Sequence, residues 1–128
     1  MTVDHVGIAT DDLDTLGNLY VDLFGCSLAH TEVFDGMDVC FLEFGNSYFE
    51  LLEPSESGGT LSRYLESNGP GIHHVAVATD DIEAALETAV ECGVDLIDEQ
   101  PRQGAWGHDV AFMHPQSTGG ILLEFVEH

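Results

Sequence analysis

An eight-residue segment occurs twice in this chain, and the duplication limits the folds open to it. His5-Val6-Gly7-Ile8-Ala9-Thr10-Asp11-Asp12 returns as His74-Val75-Ala76-Val77-Ala78-Thr79-Asp80-Asp81, identical at six of eight positions. The far ends of the copies also correspond, Glu50-Leu51-Leu52-Glu53 with Glu124-Phe125-Val126-Glu127. A period of 69 residues, from His5 to His74, is too long for a stacked solenoid unit and suits a duplicated half-domain.

Within each copy the pattern reads as strand, helix, strands. Val3–Thr10 is a β-rich run of strand length. Asp11 and Asp12 then offer helix caps and negative charge at a helix start. Leu13, Leu16, Tyr20, Leu23 and Phe24 recur at helical spacing, and Gly25 supplies the stop. In the second copy Ile82, Ala85, Leu86, Ala89 and Val90 do the same ahead of Gly93. Further strands are predicted near Ser27–Val33, Asp38–Phe44 and Ser47–Leu52, with counterparts near Asp95–Asp98, Val110–His114 and Gly120–Val126. A short helix near Leu61–Glu66 and the turn Asn68-Gly69-Pro70-Gly71 join the copies. The expected class is α+β, one domain of two tandem βαβββ modules. Module 1 covers about 1–58, the linker about 59–71 and module 2 about 72–128.

Strand periodicity then sorts the polar residues of the repeat. Side chains alternate faces along a strand, so His5 shares its side with Gly7 and Ala9, and His74 with Ala76 and Ala78. Small neighbours leave room for a ligand. Glu50 and Glu124 lie in runs that are apolar on both faces, and a carboxylate buried there needs a cation or strong hydrogen bonds. One histidine and one glutamate from each copy make a candidate metal set: His5, Glu50, His74 and Glu124. Imidazole plus carboxylate suits Mn, Fe, Co, Ni or Zn, and four such ligands on an octahedral ion leave two positions open. Glu53 and Glu127 also recur, but their positions on the opposite face near the strand ends read as surface. His73 points away from His74. His30 and His128 read as peripheral, while His108 and His114 fall near the expected pocket without an assigned role.

Composition narrows the partners. The chain has 24 acidic residues, only Arg63 and Arg102 as basic ones, and a formal net charge of −22. Nucleic acid and anionic membranes are poor partners for such a surface. Acids spread along the whole chain with no lysine resemble proteins of salt-accumulating halophiles, where concentrated salt screens self-repulsion. At 44% hydrophobic residues the chain is expected to fold, and no run approaches the roughly 20 apolar residues of a membrane span. Met1-Thr2-Val3-Asp4-His5 lacks the pattern of a signal peptide, so a soluble, cytoplasmic location is expected. Cys26, Cys40 and Cys92 are odd in number and widely spaced, and read as small buried apolar residues.

Paired modules that open on His and close on Glu resemble the vicinal oxygen chelate superfamily. Within it the chain is most similar to the methylmalonyl-CoA epimerase family, on segments that span nearly its whole length. Asp4–Ala9, Glu50–Pro54 and Gly71–Ala76 fit many members of the superfamily; Leu96–Ala105 and Phe112–Gly120 are narrower. The resemblance implies a shared curved sheet around the metal, ligands at His5, Glu50, His74 and Glu124, a divalent ion (cobalt first), and a homodimer. It implies interconversion of the C2 epimers of methylmalonyl-CoA, with Glu50 and Glu124 as the first candidates for the two bases and Asp35 or Glu43 as alternatives. An acyl-CoA substrate implies contacts from Arg102 and from the backbone of Gly104 and Ser117-Thr118-Gly119. The chain departs from the family's usual pattern at Gly104-Ala105-Trp106-Gly107-His108 and at Val33-Phe34-Asp35-Gly36. Other readings on the same scaffold are a glyoxalase I-like lactoylglutathione lyase and a non-enzymatic small-molecule-binding protein.

Overall fold

A computed structural model describes all residues from Met1 to His128. They form two compact units, Val6–His73 and Met1–His5 with His74–His128.

The Val6–His73 unit carries the second half of β1 (Thr2–Ala9), then α1 (Leu13–Phe24), β2 (Ser27–Phe34), β3 (Met37–Phe44), β4 (Ser47–Pro54) and α2 (Thr60–Asn68). Its strands run in the order β2-β3-β4-β1, with β2, β3 and β4 successively antiparallel. Asp35 and Gly36 make the two-residue turn between β2 and β3, both with positive φ (51° and 75°), which an Asp-Gly pair tolerates. Leu42 and Leu51 sit in a core with Ile8, Cys26 and Cys40, and Leu13, Leu16 and Tyr20 of α1 pack onto it. Leu23 and Phe24 do not join that core fully and are 63% and 52% exposed. At about 100° per residue Leu23 falls roughly 80° off the line of Leu13. Phe24 lies on the packed side but at the helix end, where its ring meets Phe44 at 5.4 Å. Gly25 closes α1 in the left-handed conformation, as its position predicts.

The second unit contains the start of β1, β5 (Gly71–Ala78, from His74), α3 (Ile82–Glu91), β6 (Arg102–Gln103), β7 (Asp109–Met113) and β8 (Leu123–Glu127). The order is β1-β5-β8-β7-β6, with β5 parallel to β8 and the remaining pairs from β8 outward antiparallel. Ile82 and Leu86 of α3 pack on Ala111, with Leu96 and Phe125 alongside. The predicted strand at Asp95–Asp98 is absent: the segment makes one bridge, Leu96 to Met113. Ile97 and Asp98 both donate their amides to the Phe112 carbonyl, and the Asp98 carboxylate accepts the Phe112 amide. A side chain thus takes the place of the next ladder rung and the chain leaves the sheet edge. The edge strand is β6, seven residues past the segment's start and just after Pro101. Cys92 corrects another expectation: it caps α3 and is exposed, whereas Cys26 and Cys40 are buried.

Both units start their first helix with the same wiring. The amides of Thr10 and Thr79 donate to Leu52 and Val126 carbonyls, each at 2.9 Å. The two threonine hydroxyls accept from the amides of Asp12 and Asp81. The carboxylates of Asp12 and Asp81 accept from the amides of Thr15 and Ala84, each at 3.1 Å. Finally the first helical amides, Leu13 and Ile82, donate to Glu53 and Glu127 at 2.6 and 2.8 Å. Glu53 and Glu127 are therefore not free surface acids. Each reaches back from a strand end to satisfy a helix N-terminus that would otherwise lack an acceptor. The hydrogen bonds from Thr15 hold the Asp12 carboxyl below its ordinary value. Asp81→Ala is expected to cost about 1 kcal/mol, read as a lowered urea midpoint with unchanged slope. No helix is long and apolar enough to cross a membrane.

Candidate metal centre

Three of the four predicted ligands lie in the second unit, and the fold brings them together. His5 comes from β1, His74 from β5 and Glu124 from β8, and all three are at most 5% exposed. Glu124 is the register partner of Ala76 on one side and Phe112 on the other. Ala76 is fully buried, and its methyl is the small neighbour that the strand alternation called for. The Phe112 ring meets the His74 ring edge-on at 5.7 Å.

The donor atoms form a triangle. Nε2 of His5 lies 3.2 Å from Nε2 of His74 and 3.0 Å from Oε1 of Glu124. His74 Nε2 and Glu124 Oε1 are 3.6 Å apart. Two donors each about 2.1 Å from an ion stand roughly 3.0 Å apart at a right angle and roughly 3.4 Å at a tetrahedral one. The triangle has the dimensions of three ligands on one ion.

Hydrogen bonding points the same way. His5 Nδ1 lies 2.8 Å from the buried Asp4 carboxylate. Burial pushes that carboxyl up, but hydrogen bonds from His5 and His128 and their positive charge together outweigh it, and Asp4 lies below its ordinary value. An ionised Asp4 only accepts, so it takes a hydrogen bond from His5 Nδ1, and Nε2 on the far side of the ring is turned to His74 and Glu124. Despite the 3.0 Å approach, Oε1 of Glu124 is buried and receives no hydrogen bond. A buried carboxylate oxygen without a hydrogen bond is unfavourable unless a cation sits beside it. His5, His74 and Glu124 together thus fit a divalent ion, with Asp4 behind His5 in the carboxylate–histidine–metal arrangement.

The other predicted residues fall as follows. Glu50, in the other unit, is 5% exposed on β4, opposite the equally buried Phe41. Asp35 occupies the exposed β2–β3 turn, and Glu43 is exposed on β3. Arg102 is about half exposed, bonded to Asp98 at 3.1 Å, with its guanidinium 5.4 Å from the centre of the Phe112 ring. The amides of Gly104, Ser117 and Thr118 are spent inside their own turns, on the carbonyls of His108, His114 and Pro115. The Ser117 hydroxyl likewise donates to the His114 carbonyl, the Thr118 hydroxyl donates to the Ile121 carbonyl at 2.8 Å, and Gly119 is exposed with positive φ. Gly104 has a packing reason of its own, because a Cβ there would stand 2.8 Å from a Val110 methyl.

Of the histidines, His73 packs on Tyr64 with ring centres 4.7 Å apart. His30 contacts Glu32 at 3.1 Å. His114 is exposed and opens the turn ahead of β8. His128 is not peripheral: its Nε2 donates to Asp4 at 2.6 Å, and the His108 ring lies 4.0 Å from its own. Asp4 and His128 had no signal in the sequence beyond Asp4 preceding a ligand. The two are 124 positions apart, and only the sheet joins them.

Known proteins share this arrangement of chain. The family described as the glyoxalase/bleomycin resistance protein/dioxygenase superfamily matches residues 4–112. Mitochondrial methylmalonyl-CoA epimerase of Dictyostelium discoideum is 35% identical over 128 residues, covering 98% of this chain and 77% of that protein. Ethylmalonyl-CoA/methylmalonyl-CoA epimerase of Cereibacter sphaeroides is 33% identical, covering 95% of this chain and 94% of its own. A Streptomyces coelicolor methylmalonyl-CoA epimerase variant, solved in complex with 2-nitronate-propionyl-CoA, superposes with a TM-score of 0.92 at 34% identity, covering 99% of this chain and 94% of that one. The chain therefore belongs to the glyoxalase/bleomycin resistance protein/dioxygenase superfamily and, within it, to the methylmalonyl-CoA epimerase family.

Proposed function

We propose that this chain interconverts the two C2 epimers of methylmalonyl-CoA. The supporting observation is the buried triangle of His5, His74 and Glu124, with its unsatisfied carboxylate oxygen, in a chain similar over nearly its full length to epimerases of that substrate. In this reading Glu50 completes the ligand set. A bound divalent ion, cobalt first, supplies Lewis acidity that stabilises the negative charge developing on the thioester oxygen.

The protein's own groups move the proton. C2 lies between a thioester and a carboxylate, so its proton is weakly acidic. One carboxylate takes it from one face, leaving an enolate, and a second acid returns a proton to the other face. Glu50 and Glu124 are assigned these roles, and the next turnover in the opposite direction resets them. Burial of both groups keeps water from competing for the enolate. Arg102, exposed beside Phe112, is assigned to the negative charges of the coenzyme A portion. The reading includes a homodimer and a salt-rich cytoplasm, in which screening lets a protein of charge −22 accept an anionic substrate.

Deuterium exchange at C2 of methylmalonyl-CoA tests it, run in D2O at molar KCl on metal-stripped and Co2+-loaded protein. Fast exchange in the loaded sample alone is the expected result. No exchange in folded, metal-bound protein overturns the reading and turns attention to lactoylglutathione chemistry.

A further inference from the structure

Behind the triangle lies a second layer that neither the repeat nor the ligand set accounts for. Asp4 is 8% exposed and uses both its oxygens: Oδ2 lies 2.8 Å from His5 Nδ1, and Oδ1 lies 2.6 Å from His128 Nε2. His128 is held in turn by the His108 ring, tilted against it at 4.0 Å, and Trp106 lies 5.7 Å beyond His108. The repeat does not duplicate this layer. The residue before His74 is His73, which packs on Tyr64 instead. One of the two imidazoles therefore has a carboxylate behind it that the sequence repeat does not give the other.

We propose that Asp4 and His128 are positioning residues for the metal: Asp4 fixes the tautomer and aim of His5, and His128 fixes Asp4. A carboxylate on Nδ1–H makes Nε2 a stronger donor and removes the freedom of the ring to flip. Two hydrogen bonds to opposite oxygens leave Asp4 little freedom to rotate away. His128, just past β8, thus acts on a ligand that it never touches. The proposal rests on the reading of His5, His74 and Glu124 as a metal centre.

The test is calorimetric titration of the full chain with CoCl2 in molar KCl, with the visible absorption of bound Co2+ recorded in parallel. Asp4→Asn keeps the shape but loses the charge. It is expected to weaken Co2+ binding by about 10- to 100-fold. His128→Ala is expected to weaken binding in the same direction by less. His128→Gln, whose amide can still donate to Asp4, is expected to recover most of that loss. Because His128 is an exposed residue, its two variants decide the matter even if Asp4→Asn folds poorly. Wild-type affinity in both Asp4→Asn and His128→Ala overturns the proposal and spares the metal centre. Failure of the wild-type chain to bind Co2+ overturns both.

Discussion

His74→Ala is expected to abolish Co2+ binding at concentrations that saturate the wild-type chain, and to reduce C2 exchange to the level of metal-stripped protein. The loss should exceed the roughly 100-fold that follows removal of a mere supporting partner, because a donor itself is gone. Of the triangle only His5 Nε2 and Glu124 Oε1, 3.0 Å apart, would remain, without the second imidazole. Stability supplies a second reading of the same variant. Metal bound only to the folded chain stabilises it by mass action, about 2.7 kcal/mol at 100 times the dissociation constant. That metal-induced rise in thermal midpoint should vanish in His74→Ala. The metal-free midpoint should shift much less, because the Glu124 oxygen has no hydrogen bond from that imidazole to lose. Wild-type affinity in this variant would mean that the triangle is not a metal centre.

Glu50→Gln is expected to separate ligation from proton transfer. The substitution preserves shape and leaves an oxygen able to ligate, so Co2+ affinity should fall modestly. The amide is no base, and loss of a positioned base typically costs about 10²–10⁴ in rate. With two bases on opposite faces the effect must be one-sided. The epimer whose C2 proton faces Glu124 should still exchange its proton with D2O, largely with retention. The other epimer should exchange slowly, and net epimerisation should fall in both directions. Starting from each pure epimer and following deuterium content and configuration together reads all of this. Wild-type exchange from both epimers would remove Glu50 from the proton path. Equal slowing of both would leave it a ligand only.

Much of this was legible because the repeat states it twice. A lone histidine in a strand says little, but His5 and His74 at equivalent positions, each beside small residues, point to one centre. The helix starts were equally readable from Asp12 and Asp81. What the sequence concealed follows from contacts that cross the sheet. Glu53 and Glu127 look like solvated strand ends until the first amides of α1 and α3 arrive beside them. Asp95–Asp98 has the pattern of a strand, yet Asp98 spends its carboxylate on a rung of the Phe112 backbone, which periodicity does not register. Leu23 and Phe24 match a helical face by spacing, but the face ends before them. His128 gave no signal at all, because its partner lies at the opposite end of the chain.

The two glutamates of β8 have a consequence for how the strand finds its place. Glu124 and Glu127 are three residues apart and point to opposite sides, one into the donor triangle and one to the Ile82 amide. Sliding β8 by a single residue against β5 and β7 turns every side chain over. Such a slip would carry Glu124 out of the triangle and Glu127 off the helix at the same moment, and would bury their apolar neighbours wrongly. A five-residue strand has few rungs with which to reject that error. Here the rejection is made by chemistry at both of its ends, so an ion added during refolding would favour the correctly threaded strand over its slipped competitors.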